Sequence, residues 1–173
     1  MKKIIHKNPW FSLEKHFTDK KSGSHVYFFL NKKPTVFIVA ETKDKKIILI
    51  QEYRFPINKT IWQLPAGMVD TNNPLASAKE ELLEETQIIA AKWKKLGEFF
   101  VAPGHENTQI IVYVAKNLEK QEPKTVLGES NIKNINFFSQ EEIKTMIGKN
   151  KIKCGITLAS LNLYFSAKRN IPI

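Results

Sequence analysis

Three carboxylates, Glu81, Glu84 and Glu85, stand at i, i+3 and i+4 in this chain, a spacing that gathers them on one patch of a helix. Like charges so placed repel and weaken the helix that carries them. The patch is therefore either a solvated acidic face or a seat for a hard divalent cation that removes the repulsion. Mg²⁺ takes a few carboxylates and fills its other positions with waters and substrate phosphates, so the second reading points to chemistry on phosphates. Just upstream, Trp62-Gln63-Leu64-Pro65 ends in Ala66-Gly67. The Ala66 carbonyl can join the carboxylates, and Gly67 leaves room for a ligand to approach the backbone.

The surrounding pattern supplies elements to position these groups. Asp70, Asn72 and Asn73 form a turn, Asn73 can cap a helix that begins at Pro74, and Leu75, Ala78, Leu82 and Ile89 recur at helical spacing. Residues 36–40 and 47–51 are apolar runs flanking a polar 42–46, a hairpin in outline. The runs are continuous rather than alternating, so the strands should be covered on both faces, with helices on each side of the sheet. Arg54 ends the second run, where its guanidinium can fork onto a ligand phosphate or pair with a local carboxylate.

Downstream, 93–101 reads as a strand with a bulge at Gly97, followed by the turn Ala102-Pro103-Gly104-His105 and a buried strand from Gln109 to Ala115. Lys116 to Gly128 is polar and reads as a long loop. A strand at 135–138 precedes a helix opened by Ser139 and Glu142 at capping-box spacing and ended by Gly148. A last apolar helix spans 156–167. Near the N-terminus, 10–13 reads as a short strand, 18–24 as a turn-rich stretch and 26–30 as a strand.

The chain has 173 residues, of which 42% are hydrophobic, suiting one domain with a single core. Its 27 Lys and Arg against 17 Asp and Glu give a net charge of +10. That balance makes either a lysine-rich solubilising surface or one that attracts polyanions, a nucleotide diphosphate or RNA. Cys154 stands alone, which excludes an intramolecular disulfide and fits a reducing cytoplasm. The opening Met1-Lys2-Lys3-Ile4-Ile5 breaks into His6 before any leader-like apolar stretch, and no run is long enough to span a membrane. A cytoplasmic location is the expectation.

Leu64-Pro65-Ala66-Gly67 followed by Glu81-Leu82-Leu83-Glu84-Glu85-Thr86 resembles the loop–helix signature of Nudix hydrolases. The flanks, Gln51-Glu52-Tyr53-Arg54-Phe55-Pro56 and Ala102-Pro103-Gly104, resemble the ADP-ribose pyrophosphatase branch. The resemblance implies an α/β fold, a Nudix-type α/β/α sandwich with a mixed β-sheet over residues 34–173. It also implies an N-terminal arm, 1–33, whose strands exchange across a homodimer; otherwise that arm lies on its own domain. Mg²⁺ or Mn²⁺ would be held by Ala66, Glu81, Glu84 and Glu85. Arg54, Gly67, Pro103 and Gly104 would meet a nucleoside diphosphate sugar, ADP-ribose first, giving AMP and ribose 5-phosphate. Glu84 and Glu129 are the candidates for moving the proton of the attacking water.

The chain also departs from that family's pattern. Glu80 replaces the arginine before the first metal-binding glutamate, Gln87 the late glycine, and Gln63 the glutamate that often precedes Leu-Pro-Ala-Gly. The early glutamate of the loop falls near Asn73, and the loop is one residue short. The glutamate that commonly follows the Pro-Gly turn has Thr108 as its counterpart, with Glu106 nearby. Ser130 occupies the position of a water-activating glutamate, with Glu129 adjacent, and a hydroxyl cannot accept a proton at neutral pH as a carboxylate does. These departures leave open a catalytically weak or silent module that binds nucleotide, or less readily RNA, through its basic surface.

Overall fold

Apolar runs that carry no alternation become the central strands. The computed structural model describes residues 2–18, 25–122 and 131–170. Its elements in chain order are β1 (Lys2–Lys7), β2 (Phe11–Thr18), β3 (His25–Lys32), β4 (Thr35–Ala40), β5 (Ile47–Arg54), β6 (Lys59–Gln63), β7 (Ala66–Met68), α1 (Pro74–Thr86), β8 (Ile88–Phe100), β9 (Gln109–Lys120), β10 (Ile132–Phe138), α2 (Gln140–Gly148) and α3 (Gly155–Asn170). They form three sheets, ordered β1-β2-β3, β10-β5-β6 and β7-β4-β9-β8. The last is mixed: β4 runs parallel to β9, while β7 pairs antiparallel with β4 and β8 antiparallel with β9.

Side-chain alternation along β4 divides the core in two. Val36, Ile38 and Ala40 join Ala78 and Leu82 of α1 on one face. Phe37 and Val39 join Ile143 and Met146 of α2 and Leu161 and Tyr164 of α3 on the other. The result is the α/β/α sandwich that the doubly apolar strands require. On the α3 side the Tyr164 hydroxyl donates to the buried Glu41 carboxylate at the end of β4, which also faces Lys45 and Lys116 at 3.3 and 3.4 Å. Among the described residues no helix is long and apolar enough to cross a membrane.

Three local expectations need correction. The 36–51 hairpin does not form as a ladder: β4 and β5 share only the bridge Glu41↔Ile47 and then diverge into different sheets. The turn itself closes, with Thr42 N–H on the Lys46 carbonyl at 2.9 Å. Because both strands are apolar on both faces, composition could not say which neighbour each would choose. Residues Lys116 to Lys120, expected as loop, extend β9, because β8 begins at Ile88 and offers them partners such as Ala90↔Leu118 and Ile88↔Lys120. The strand at 10–13 is longer than expected and pairs with β1, which carries no apolar run to reveal it. The turn-rich 19–24 stretch lies outside the described residues.

The β1-β2-β3 sheet is organised around Glu14, which is buried. Its carboxylate accepts from Ser12 at 2.9 Å and Asn31 at 2.7 Å, and meets Lys2 at 2.9 Å and His16 at 3.1 Å. The end of β3 fastens this sheet to the 102–108 loop through Leu30 N–H to the His105 carbonyl at 2.9 Å and Asn107 N–H to the Leu30 carbonyl at 3.2 Å.

The ends of α1 are specified locally. Asn73 accepts at its side-chain oxygen from the N–H groups of Leu75 at 3.1 Å and Ala76 at 3.2 Å, and Pro74 follows it. At the other end Gln87 takes a left-handed conformation, φ 57°, with its N–H on the Leu83 carbonyl at 2.8 Å. This is the geometry that favours glycine, so the residue that departs from the family pattern sits in the conformation the glycine would supply. Gln87→Gly is expected to stabilise the protein by about 0.5–1 kcal/mol, the relief of left-handed strain less the added chain entropy. Urea unfolding checks it; an unchanged midpoint would show that the Gln87 side chain compensates through its bond to the Leu83 carbonyl.

Candidate active site

With α1 laid across β4 and β7, two of the three helix carboxylates turn toward the 64–67 segment. Glu85 Oε2 accepts from the Ala66 N–H at 2.9 Å. Glu81 lies so close to Gly67 that a Cβ built there would overlap its carboxylate. The glycine leaves room for the Glu81 carboxylate in this position, and turn conformation plays no part in it. Glu84 is exposed on the outer side of the same turn. Sequence spacing therefore gathers all three on one helix, and packing separates them into an inward pair and an outward one.

The inward pair is electrostatically crowded. Burial first, then the neighbouring charges of Glu84, Asp70, Glu80 and Glu52, push the Glu81 carboxyl up to about 7. Burial pushes Glu85 up to about 8; the Ala66 N–H opposes this, Glu81 and Glu52 add to it, and Arg54 offsets it in part. Glu52, a flank residue that spacing did not single out, thus belongs to the same field. Its own carboxyl is raised by burial against the pull of Arg54 and Gln63. The period of two along β5 was the signal available, since it puts Glu52 on the same face as Arg54.

Arg54 takes the local pairing left open by the sequence: Nη1 lies 3.1 Å from Glu52 Oε1 and Nε donates to Gln63 Oε1 at 3.1 Å. Its side chain is still 41% exposed, so it remains open to a ligand.

The other expected substrate contacts lie elsewhere. Pro103 and Gly104 line a cleft of about 420 Å³ with His16, Tyr27, Phe29 and Phe100, between the N-terminal sheet and the loop. None of Glu52, Glu81, Glu84 and Glu85 lines it. Glu106 accepts from Thr108 and pairs with Lys32 at 2.8 Å. Burial alone would raise its carboxyl, but these partners hold it below the usual range. Glu129 and Ser130 fall outside the described residues.

Among the described residues no three acidic, histidine or cysteine side chains already converge as a metal-binding group. The donors nonetheless fit a hard divalent cation. They are all oxygens, and they are crowded enough that two carboxylates ionise reluctantly, with Arg54 offsetting the Glu85 shift only in part. Ala66 is already drawn against Glu85.

Comparison with known proteins agrees with this architecture. The chain is 31% identical over 118 residues to a methanol dehydrogenase activator of Bacillus methanolicus and 29% identical over 118 residues to an ADP-ribose pyrophosphatase of Bacillus subtilis (strain 168). Each match covers 68% of this chain and 64% of the relative, so the chain spans under two thirds of their length. A GDP-mannose pyrophosphatase of Yersinia pestis (strain Pestoides F) is 23% identical over 171 residues, covering 91% of this chain and 86% of that protein. A crystal structure of an ADP compounds hydrolase superposes with a TM-score of 0.84 at 17% identity, over 100% of this chain and 95% of that one, which establishes the shared fold. The NUDIX domain family matches residues 31–154, a span that holds the Gly67 loop, the glutamate helix and the Glu52–Arg54 pair together, and the chain belongs to that family.

Proposed function

We propose that the chain hydrolyses the diphosphate of a nucleoside diphosphate-linked compound, with ADP-ribose the first candidate, giving AMP and ribose 5-phosphate. The observation that carries this reading is the crowding of Glu81, which abuts Gly67, with Glu85 and Glu52, offset only in part by Arg54. Such an arrangement disfavours the folded state on its own and is relieved by a bound cation. Glu81 and Glu85 with the Ala66 carbonyl would hold Mg²⁺ or Mn²⁺, and Glu84 would complete the set from the outer side of the turn. When bound there, the cation offsets charge developing on the diphosphate and activates water.

The chain's own groups do the rest. Gly67 leaves room for the Glu81 carboxylate that would hold the cation, Arg54 forks onto a phosphate, and Glu84 or Glu129 accepts the proton of the attacking water as the bond between the two phosphoryl groups breaks. Pro103 and Gly104 would meet the substrate's far end from the cleft beside the N-terminal sheet. That sheet and the turn beside it expose the apolar side chains of Ile4, Ile5, Trp10, Val26, Tyr27 and Phe28, which a second copy of the chain would cover. The 1–33 segment is proposed as this dimer element.

The test is Mg²⁺-dependent release of AMP from ADP-ribose, with GDP-mannose and flavin adenine dinucleotide in parallel. A metal-dependent product from ADP-ribose, lost on chelation, is expected. No product from any of the three, together with salt-sensitive retention of RNA, would overturn the hydrolase reading in favour of a binding module.

A further inference from the structure

Strand pairing places three polar side chains on the α1 side of the small sheet. β5 and β6 are antiparallel with Ile50 opposite Gln63, so Glu52 and Arg54 share a face with Gln63. They close a ring: Gln63 Nε2 donates to Glu52 Oε2 at 2.6 Å, Arg54 Nη1 meets Glu52 Oε1 at 3.1 Å, and Arg54 Nε donates to Gln63 Oε1 at 3.1 Å.

The ring closes in one sense only. A carboxylate accepts and never donates; a guanidinium donates and never accepts. The third member must donate to one and accept from the other, which an amide does and a carboxylate does not. This fixes the amide's orientation, since its flip would set a carbonyl oxygen against Glu52 and an N–H against Arg54. Gln63 is 1% exposed and Glu52's side chain 13% exposed, so water cannot relieve a mismatch there. A glutamate at 63, the residue seen in the resembling family, would place two carboxylates in contact.

We propose that Glu52 and Gln63 are positioning residues that lock the Arg54 guanidinium on the sheet face they share, so that its open donors meet the substrate's diphosphate. The residue required at 63 is then set by the residue at 52. This inference rests on the diphosphate reading given above. Two charge-assisted or amide bonds hold a long side chain that is otherwise free to rotate, and pre-ordering of this kind improves binding without adding a contact to the ligand. Glu52 and Gln63 do not touch the substrate; they act through Arg54.

The experiment is a cycle of Glu52→Gln, Gln63→Glu and the double exchange, each also built in an Arg54→Ala background. Two quantities are read: KM and kcat for ADP-ribose with Mg²⁺, and the calorimetric Kd of its α,β-methylene analogue, which cannot be cleaved at that bridge. Each single variant is expected to raise KM and Kd by about 10-fold, the worth of a charge-assisted bond, with a smaller change in kcat. The double exchange rebuilds the ring, the new amide at 52 donating to the new carboxylate at 63 and Arg54 donating to both, and should return Kd to within about threefold of the native value. In the Arg54→Ala background most of the effect of either substitution on Kd should vanish, leaving only the direct influence of the charge at 52 and 63 on Glu81 and Glu85.

Singles that bind as the native protein does, a double no better than the worse single, or effects of undiminished size without Arg54 would overturn the proposal. Should Gln63→Glu fail to fold, the near-isosteric Glu52→Gln with and without Arg54 decides it alone. A native protein that is active while the singles are unaffected rejects the clamp. A native protein that neither binds the analogue nor turns over rejects the diphosphate reading beneath it.

Discussion

Glu85→Gln is expected to lower Mg²⁺-dependent turnover by about 10²–10³-fold, in the range for loss of one group that stabilises developing charge, while raising the melting temperature of the cation-free protein. The two effects have one cause. The amide is nearly isosteric and its oxygen can still accept the Ala66 N–H, so packing is kept. What disappears is a carboxylate that burial, Glu81 and Glu52 together discourage from ionising.

The sign of the pH dependence follows. Glu85 moves from an ordinary 4.5 up to about 8 on folding, so between those values the folded state holds a proton that the unfolded state has released. Stability from this group is therefore complete below about pH 4.5 and is lost progressively as the pH rises to about 8. At pH 7 the loss is on the order of 3 kcal/mol, enough to move the melting temperature by several degrees in a chain of this size. Thermal melts with chelator from pH 5 to pH 8.5 should fall steeply for the native protein and less so for Glu85→Gln. Added Mn²⁺ should raise the native curve most at the alkaline end, where the carboxylates are most readily freed for it. Equal slopes for the two proteins would mean that Glu85 ionises normally and that the crowding argued for the site is absent.

Features written in consecutive residues were legible before the fold was seen. The Asn73-Pro74 start of α1 shows in the side-chain oxygen that takes two helix N–H groups. The Ser139–Glu142 capping box closes in both directions. The bulge at Gly97 appears as a register shift between Lys95 and Gly97. Each is decided within a few residues, so local chemistry suffices.

Features that depend on the choice of partner strand were not legible. Nothing in 36–51 says that β4 will pair with β9 across the chain while β5 takes β6 and β10. The polar 116–120 segment becomes strand only because β8 lies beside it. The same limit applies to the site. Spacing found Glu81 and Glu85 because they share a helix, and it missed Glu52 and Gln63 because their bond spans two strands. The expected partition of the helix carboxylates also changed: three equivalent groups on a turn became a buried pair and an exposed Glu84 once α1 packed. Pairing on β5 and β6 carried the site's second half, and a pattern read one segment at a time does not contain it.

Gly67→Ala should separate the fold from the chemistry more sharply than any core substitution. The added methyl would occupy the space of the Glu81 carboxylate, and Gly67 pairs with Val36 in the β7–β4 ladder. Its backbone φ is not in the left-handed region, so alanine imposes no conformational penalty. Glu81 is a flexible side chain at its far end and can swing away, which keeps the cost to stability near the ±0.5 kcal/mol typical of benign substitutions. The displaced carboxylate, however, leaves the position beside Ala66 and Glu85 from which it would hold a cation. A shift of about 1 Å in such a group can cost on the order of 10²-fold in rate. The expected result is a melting temperature within a few degrees of native, turnover reduced by about that factor, and Mn²⁺ affinity weakened in proportion when read by electron paramagnetic resonance. Native turnover with native Mn²⁺ affinity would show that Glu81 does its work from a different rotamer, and that the close approach to Gly67 is packing alone.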